Sequence, residues 1–393
     1  MFDFIVIGKG MIGSAAGRYL SQTNSNIALI GPDEPKEFKS HTGVFASHYD
    51  QGRITRTLDP NQIWGRLAQM AQEAYGEIEH KSGIQFHHSV GGVRASAVTA
   101  DFIQNAETFG RQLGSDFQKL SSAESNQQLP FFHFPEQSHI LWEKGMSGYV
   151  NPRQLVAAEV KIAEEQGATI IRETAIQLEH HADHVAVTTD TGTVLKGKQV
   201  LLSAGSFTNM LLPDRPLALK REAHMILMAE VGESEQERLA DMPTIIYQLP
   251  KASDMWSLYM LPPIKYPDGK TYIKLGGNTH WEAEIFEEWE QITKWFHTDG
   301  DPKEGEALKS VLHQTLPNLQ VDGYLTRPCI LTYTPSGYPY IDQIDDRTFV
   351  ATGGCGGAAK SSDAIGRLAA LRVMGKNCPE PFGWEPFKAI SAN

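Results

Sequence analysis

Phe4-Ile5-Val6-Ile7-Gly8-Lys9-Gly10-Met11-Ile12-Gly13, then the small-residue run Ser14 to Ser21 and the apolar stretch Ile27-Ala28-Leu29-Ile30, decides the fold. Two short, wholly apolar runs read as buried parallel strands. Between them G-x-G-x-x-G closes the first strand and opens a helix. In that context the first glycine permits the tight turn and the second lets a pyrophosphate approach the backbone. The third allows close packing of helix on strand. The free amides and dipole of the helix start favour an anion. The chain therefore opens as a βαβ dinucleotide-binding unit. A tight turn with packing glycines is the plain alternative. The second strand should end in an acidic residue for the adenosine ribose, but Gly31 stands there, in Ile30-Gly31-Pro32-Asp33-Glu34. Asp33 and Glu34, just beyond, are the candidates for that contact, and they equally suit a solvated turn.

Working outward, residues 36–60 are polar with Gly43, Gly52 and Pro60, and read as a loop-rich connection. Residues 61–82 carry helical periodicity through Ile63, Leu67, Met70, Ala71 and Tyr75. Short strands and turns are expected in 84–98 and 130–143. Asn151-Pro152 opens a helix that Gly167 ends. Strands follow at 169–171, 184–189 and 200–202. From 218 to 328 the pattern is that of an antiparallel sheet, with strands at 225–231, 244–248, 257–261 and 272–275 and a helix over 283–297. The last segment returns to strand (349–351), glycine loop (353–357) and helix (362–374). The fold class expected is α/β, with a Rossmann-like nucleotide-binding domain from 1–85, 145–217 and 329–393. It interleaves with an α+β substrate domain of mixed, largely antiparallel sheet from 86–144 and 218–328.

The bulk numbers agree with a two-domain globular chain: 393 residues, 41% apolar, 21% charged, net charge −12. That charge argues for solubility and against a basic nucleic-acid face. Cys329, Cys355 and Cys378 form no CxxC pair, so neither a zinc knuckle nor a disulfide framework is expected. Met1 to Gly10 has no basic n-region, and no apolar run is long enough to span a bilayer. A cytoplasmic location is the default expectation. His87-His88 and His180-His181 sit in strand-like stretches, where neighbours face opposite ways, and no metal site is expected. The acidic run Glu282–Glu290 reads as a solvated helix face.

Three further segments narrow the cofactor. They are Arg53-Ile54-Thr55-Arg56 after His48-Tyr49-Asp50-Gln51-Gly52; Tyr272-Ile273-Lys274-Leu275-Gly276; and Cys329-Ile330-Leu331-Thr332-Tyr333-Thr334-Pro335, followed by Gly353-Gly354-Cys355-Gly356-Gly357-Ala358-Ala359-Lys360. With the N-terminal glycine loop, in this order through nearly the whole chain, they resemble the D-amino-acid-oxidase (DAO) superfamily. The likeness is strongest to the group of monomeric sarcosine, N-methyltryptophan and pipecolate oxidases. The resemblance implies an FAD domain of glutathione-reductase type. It also implies hydride removal from a C–N bond of a small amine or amino acid, with reoxidation by O2 to H2O2.

Residue by residue, the resemblance implies that Gly8, Gly10, Met11, Ile12 and Gly13, with Asp33, hold the FAD. Gly353, Gly354, Gly356 and Gly357 would approach its pyrimidine ring, with Lys360 beside them. Cys329 matches the cysteine that carries covalent flavin, against the plain reading of a buried apolar cysteine. Lys274 matches the oxygen-activating lysine, and Arg53 an arginine over the flavin. Arg56 and Lys360 match a clamp for the substrate carboxylate, a task suited to the guanidinium fork. Tyr259 matches a substrate-site tyrosine. Three positions depart from the group: Asn278 replaces a site histidine, Leu331 a tyrosine and Gly52 a threonine. These departures imply a substrate other than sarcosine, with a bulkier or less polar side chain. A monomer or small homo-oligomer is expected. Two alternatives use the same cofactor: a dehydrogenase passing electrons to a quinone or partner protein, and a flavin-binding subunit of a larger complex. A nicotinamide enzyme would leave the C-terminal glycine loop without a role.

Overall fold

Strand Phe2–Ile7 lies at the centre of an eight-stranded sheet, parallel to Ile27–Ile30 on one side and to Val194–Leu202 on the other. Its register sets Ile7 beside both Ile30 and Leu202. Strand Thr169–Ile171 extends the sheet beyond Ile27–Ile30, and Thr348–Thr352 lies parallel to the end of Val194–Leu202. Antiparallel strands Ala175–His180, Val185–Thr189 and Tyr340–Gln343 complete it. The structure is a computed structural model and describes residues 1–392.

Alternation along these strands sends Val6, Leu29, Leu201 and Phe349 to one face and Ile5, Ile7, Val200 and Val350 to the other, and both faces are buried. Helices Met11–Ser21, Gln62–Ser82, Pro152–Glu165 and Ser362–Val373 cover the first face. Asn61 caps Gln62–Ser82 through its side chain and Asn151 caps Pro152–Glu165, each accepting an amide N–H from the first turn. Gly366 lets Ser362–Val373 approach Met11–Ser21, since a Cβ there would stand 2.4 Å from that of Ala15.

Where these helices meet, Arg18 is buried in an ion pair with Asp363, which also accepts from Tyr19 Oη at 3.0 Å; Ser14 Oγ donates to Glu159 alongside. Removing one member of a buried charged set strands the rest. Arg18→Met should therefore cost about 3–5 kcal/mol of stability, read as a lower urea midpoint at unchanged slope.

A ten-stranded, largely antiparallel sheet is built from residues 92–143 and 220–333. Strand Lys220–Glu230 pairs along its whole length with Gly323–Tyr333, and also with Thr271–Thr279. The sheet continues through Met255–Met260, Thr244–Gln248 and Gly92–Ser96. One face carries Leu227, Ala229, Ile273, Leu275 and Ile245, packed against Leu308, Val311 and Leu312 of helix Pro302–Thr315. The opposite face carries Arg94, Gln248, Ser257 and Lys274 beside a smaller apolar cluster of Ile226, Met228 and Tyr272. A small third sheet joins Arg53–Thr55, Gly148–Val150 and His87–His88.

Several expectations change. The loop 36–60 contains strand Arg53–Thr55, held by Gly148–Val150. The helix expected over 283–297 spans only Trp289–Phe296, because Phe286 is buried and Ile285–Phe286 pairs with strand Lys220–Glu230. The glutamates from 282 to 290 are solvent-exposed, but they do not share one helix face. Helix Pro302–Thr315 is not among the elements expected in 218–328, although Asp301-Pro302 is a strong start signal: Asp301 accepts from Lys303 N at 2.8 Å. Strand Gly323–Tyr333 runs unbroken across the boundary expected at 328/329. Among the described residues, no helix is long and apolar enough to cross a membrane.

Candidate active site

Between the two large sheets lies a cavity of about 710 Å³, a size suited to a small-molecule site. The first sheet contributes Gly8, Lys9, Gly10, Met11, Ile12 and Gly31 to its lining. The second contributes Arg94, Gln248, Ser257, Tyr259, Asn278, Cys329 and Leu331. Arg53, Arg56 and Lys360, with Gly353 to Gly357, come from the segments between.

The glycine loop is shaped by contacts no side chain tolerates. Gly8 has φ +107°, and a Cβ on it would lie 2.2 Å from Ser203 O. A Cβ on Gly13 would lie 1.8 Å from Gly8 O, so Gly13 packs and does not line the cavity. Gly10 differs: its Cβ position is open, with only His48 Nδ1 at 3.8 Å. No side chain caps the helix start at Gly10, so the first amides are left for a ligand. His48 Nδ1 and Ser203 Oγ are buried there without partners. Burial, then the charges of Lys9, Arg153 and Arg53, push the His48 imidazolium down to about 3, so the ring is neutral. Asp33 does not line the cavity; it pairs with Lys9 and, at 3.3 Å, with Arg172. Glu34 is taken by Arg153 in a two-pronged contact of 2.6 Å each.

Arg53 lines the cavity, held by Ser47 O at 2.9 Å and by the Asp50 carboxylate. Lys274 is fully buried and does not line the cavity. Its ammonium donates to Asp50 Oδ2 at 2.5 Å and to Gly52 O at 2.8 Å, 5.9 Å from the Tyr259 ring centre. Asp50 Oδ1 accepts from Tyr266 Oη at 2.8 Å. Burial, then the Arg53 charge, press the Lys274 pKa well down, although its nitrogen lies against Asp50. Asp50, to which the sequence reading gave no role, joins Arg53, Lys274 and Tyr266; its signal was an acidic residue inside an otherwise arginine-bearing motif.

Arg56 and Lys360 meet over one carboxylate. Arg56 Nη2 lies 3.3 Å and Lys360 Nζ 3.5 Å from Asp59 Oδ2, and all three residues line the cavity. Burial pushes the Lys360 ammonium down to about 8 even though Asp59 opposes the shift. Burial alone would raise the Asp59 carboxyl, yet Lys360, Arg56 and Arg94 together hold it below its ordinary value. Lys360 also donates to Trp64 O at 3.3 Å, and Arg56 Nε is buried without a partner.

Cys329 is opposite His224 in the strand pairing, at the cavity wall beside Leu331. Cys355 lines it too, at φ +47°, an uncommon conformation for a residue with a side chain, inside the C-terminal glycine loop. A Cβ on Gly357 would stand 2.9 Å from the Trp64 indole. His87 Nε2 is bonded to Met146 O at 2.9 Å. Among the described residues, no group of three His, Cys, Asp or Glu side chains is placed to hold a metal ion.

The family model for DAO, the FAD dependent oxidoreductases, matches residues 3–372. The chain belongs to this family. It is an FAD-dependent oxidoreductase. The chain is 25% identical over 382 residues to N-methyl-L-tryptophan oxidase of Yersinia pestis (strain Pestoides F), covering 96% of each protein. The relative from Yersinia pseudotuberculosis serotype O:3 (strain YPIII) matches to the same extent. Among solved structures, NikD, an amino acid oxidase essential for nikkomycin biosynthesis, superposes at a TM-score of 0.76 with 19% identity, covering 100% of this chain and 98% of NikD. L-Proline dehydrogenase from P. horikoshii superposes at 0.75 with 15% identity, covering 98% and 97%. The DAO fold of a Rossmann-like sheet beside a mixed sheet is thus shared.

The residues present fit FAD. The open backbone at Gly10 and the uncapped helix start offer amide donors to a pyrophosphate, with the unpartnered His48 Nδ1 and Ser203 Oγ beside them.

Proposed function

We propose that this DAO-family enzyme oxidises the C–N bond of a small amine or N-substituted amino acid that carries a carboxylate. The observation behind this reading is that two cations, the partly buried Arg56 and the buried Lys360, open onto the same cavity as the FAD cradle. FAD would supply the hydride acceptor, leaving an imine, and pass the electrons to O2 to give H2O2. Arg56 and Lys360 would bind the carboxylate and fix the amine's orientation. Their charges would also lower the amine pKa, favouring the neutral nitrogen whose lone pair assists hydride loss. Tyr259, Asn278 and Leu331 would bound the side chain, and Arg53 would border the reacting region. Gly8 to Ile12 and Gly353 to Gly357 would hold the cofactor. The test is anaerobic bleaching of the flavin by amines paired with their decarboxylated counterparts. Bleaching by the acids alone supports the clamp; equal bleaching by both members of each pair would remove it.

The Lys360 pKa near 8 gives a pH dependence. Lysine is cationic below its pKa, so a carboxylate inhibitor should bind tightest below about 8 and weaken as the pH rises through it. Flavin difference spectra on either side of that value measure this. An affinity that is flat with pH would count against Lys360 as a ligand.

Cys329 would carry the flavin as a thioether. Acid precipitation should leave the yellow colour in the pellet for the parent protein and release it for Cys329→Ser. Release from both would make the cofactor non-covalent. The three free cysteines suit a reducing compartment such as the cytoplasm.

A second reading changes the electron acceptor to a quinone or a partner protein. It draws support from Lys274, whose amine is taken up by Asp50 and Gly52 O behind the cavity wall. Peroxide yield per substrate oxidised separates the two: near one for the oxidase, near zero for the dehydrogenase.

A further inference from the structure

The cavity-facing side of the second sheet carries an arginine outside the clamp. In strand Gly92–Ser96, Val93 and Ala95 enter the core, so Arg94 and Ser96 face the other way. Cross-strand register places Arg94 beside Ile246, which in turn lies beside Tyr259; the next row runs Ser96, Gln248, Ser257, Asn278. That second row is polar throughout and internally bonded, Ser96 Oγ to Gln248 Oε1 at 3.0 Å and Asn278 Nδ2 to Ser257 Oγ at 2.8 Å. Asn278 thus belongs to a polar row, whereas the three departures together suggested a bulkier or less polar substrate side chain.

Arg94 is only 3% exposed, yet it lines the cavity. Its Nε donates to Leu58 O at 3.1 Å and its guanidinium sits 4.6 Å over the Phe102 ring, which fixes its orientation. Its Nη2 is buried with no acceptor. Burial and the like charge of Arg56 pull its pKa down to about 9, so it stays cationic at neutral pH. A buried charged donor without a partner is costly, and a bound ligand is one way to satisfy it. Asp59 already serves Arg56 and Lys360 and makes no ion pair with Arg94. Arg94 Nη2 is thus left without a protein acceptor beside the clamp.

We propose that the substrate is a dicarboxylic amine whose second carboxylate is bound by Arg94. This rests on the reading of the cavity as a carboxylate-binding substrate site, and deepens it. The experiment uses holoprotein and two thioethers that cannot be oxidised at a C–N bond: (methylthio)acetate, with one carboxylate, and thiodiglycolate, with two. Binding is read from the flavin difference spectrum. The parent protein should bind thiodiglycolate at least about tenfold more tightly. Arg94→Met should abolish that advantage with little change for (methylthio)acetate, and Arg94→Lys, which keeps the charge, should retain part of it. Equal affinities in the parent protein would overturn the proposal and leave the clamp standing, without recourse to any variant. Arg94→Met weakening both probes by the same factor would also overturn it, making Arg94 a third ligand of a single carboxylate. If neither probe perturbs the parent spectrum, the carboxylate site itself is refuted.

Discussion

Arg56→Met should cut kcat/KM for a carboxylate-bearing amine by roughly 30- to 5000-fold, the equivalent of about 2–5 kcal/mol for truncating one partner of a buried charged contact. The side chain is partly buried, and its buried Nε has no acceptor within the protein, so the loss falls on ligand contacts as well as on Asp59. The same amine without its carboxylate should be turned over at the parent rate. That selectivity separates a lost anchor from a damaged fold, because misfolding would lower both. Arg56→Lys should fall between, since an ammonium restores charge without the two-pronged geometry. Most of the loss should appear in KM if the carboxylate is held equally in ground and transition states, and in kcat if it orients the C–H bond.

Gly10→Ala and Gly13→Ala, three residues apart in one motif, should fail in different ways. At Gly13 the added carbon would enter the space of Gly8 O, and backbone must move. Gly13→Ala should lose both flavin and stability, with a depressed melting temperature even in the apoprotein. At Gly10 the added carbon meets nothing closer than His48 Nδ1 at 3.8 Å, so the fold tolerates it. It occupies the opening above the uncapped helix start instead. Gly10→Ala should therefore keep the apoprotein melting temperature while the flavin absorbance per protein falls severalfold. Full flavin content in the Gly10→Ala variant would mean that the pyrophosphate does not come near this backbone.

The first sheet was largely legible because its strands are short, wholly apolar and set off by glycine. Two-sided burial leaves that pattern in a sequence. The second sheet was legible in outline through its spacing of apolar runs. Helix Pro302–Thr315 escaped because it follows a stretch dominated by strand signals, and its cap was outweighed by context. Of the site, Arg53, Arg56, Lys360, Tyr259 and Cys329 were found through resemblance and line one cavity. Asp33 and Lys274 were named for the cavity but face other partners, Lys9 and Asp50, and such pairings depend on distant segments that no local pattern encodes. His48, Ser203 and Arg94 were missed. Arg94 had a faint signal, an arginine between two small apolar residues in a strand, where the inward neighbours make the opposite face a wall.

Strand Phe2–Ile7 draws its partners from residues 27–30 and 194–202, its outer neighbours from 169–171 and 348–352, and its covering helix from 362–373. Contacts so far apart along the chain make for slow assembly. The glycine loop takes its shape only when Ser203 lies beneath Gly8 and helix Ser362–Val373 packs behind it. The cradle is thus finished only when segments far apart along the chain have met. Flavin capture should therefore follow assembly of the first sheet rather than precede it.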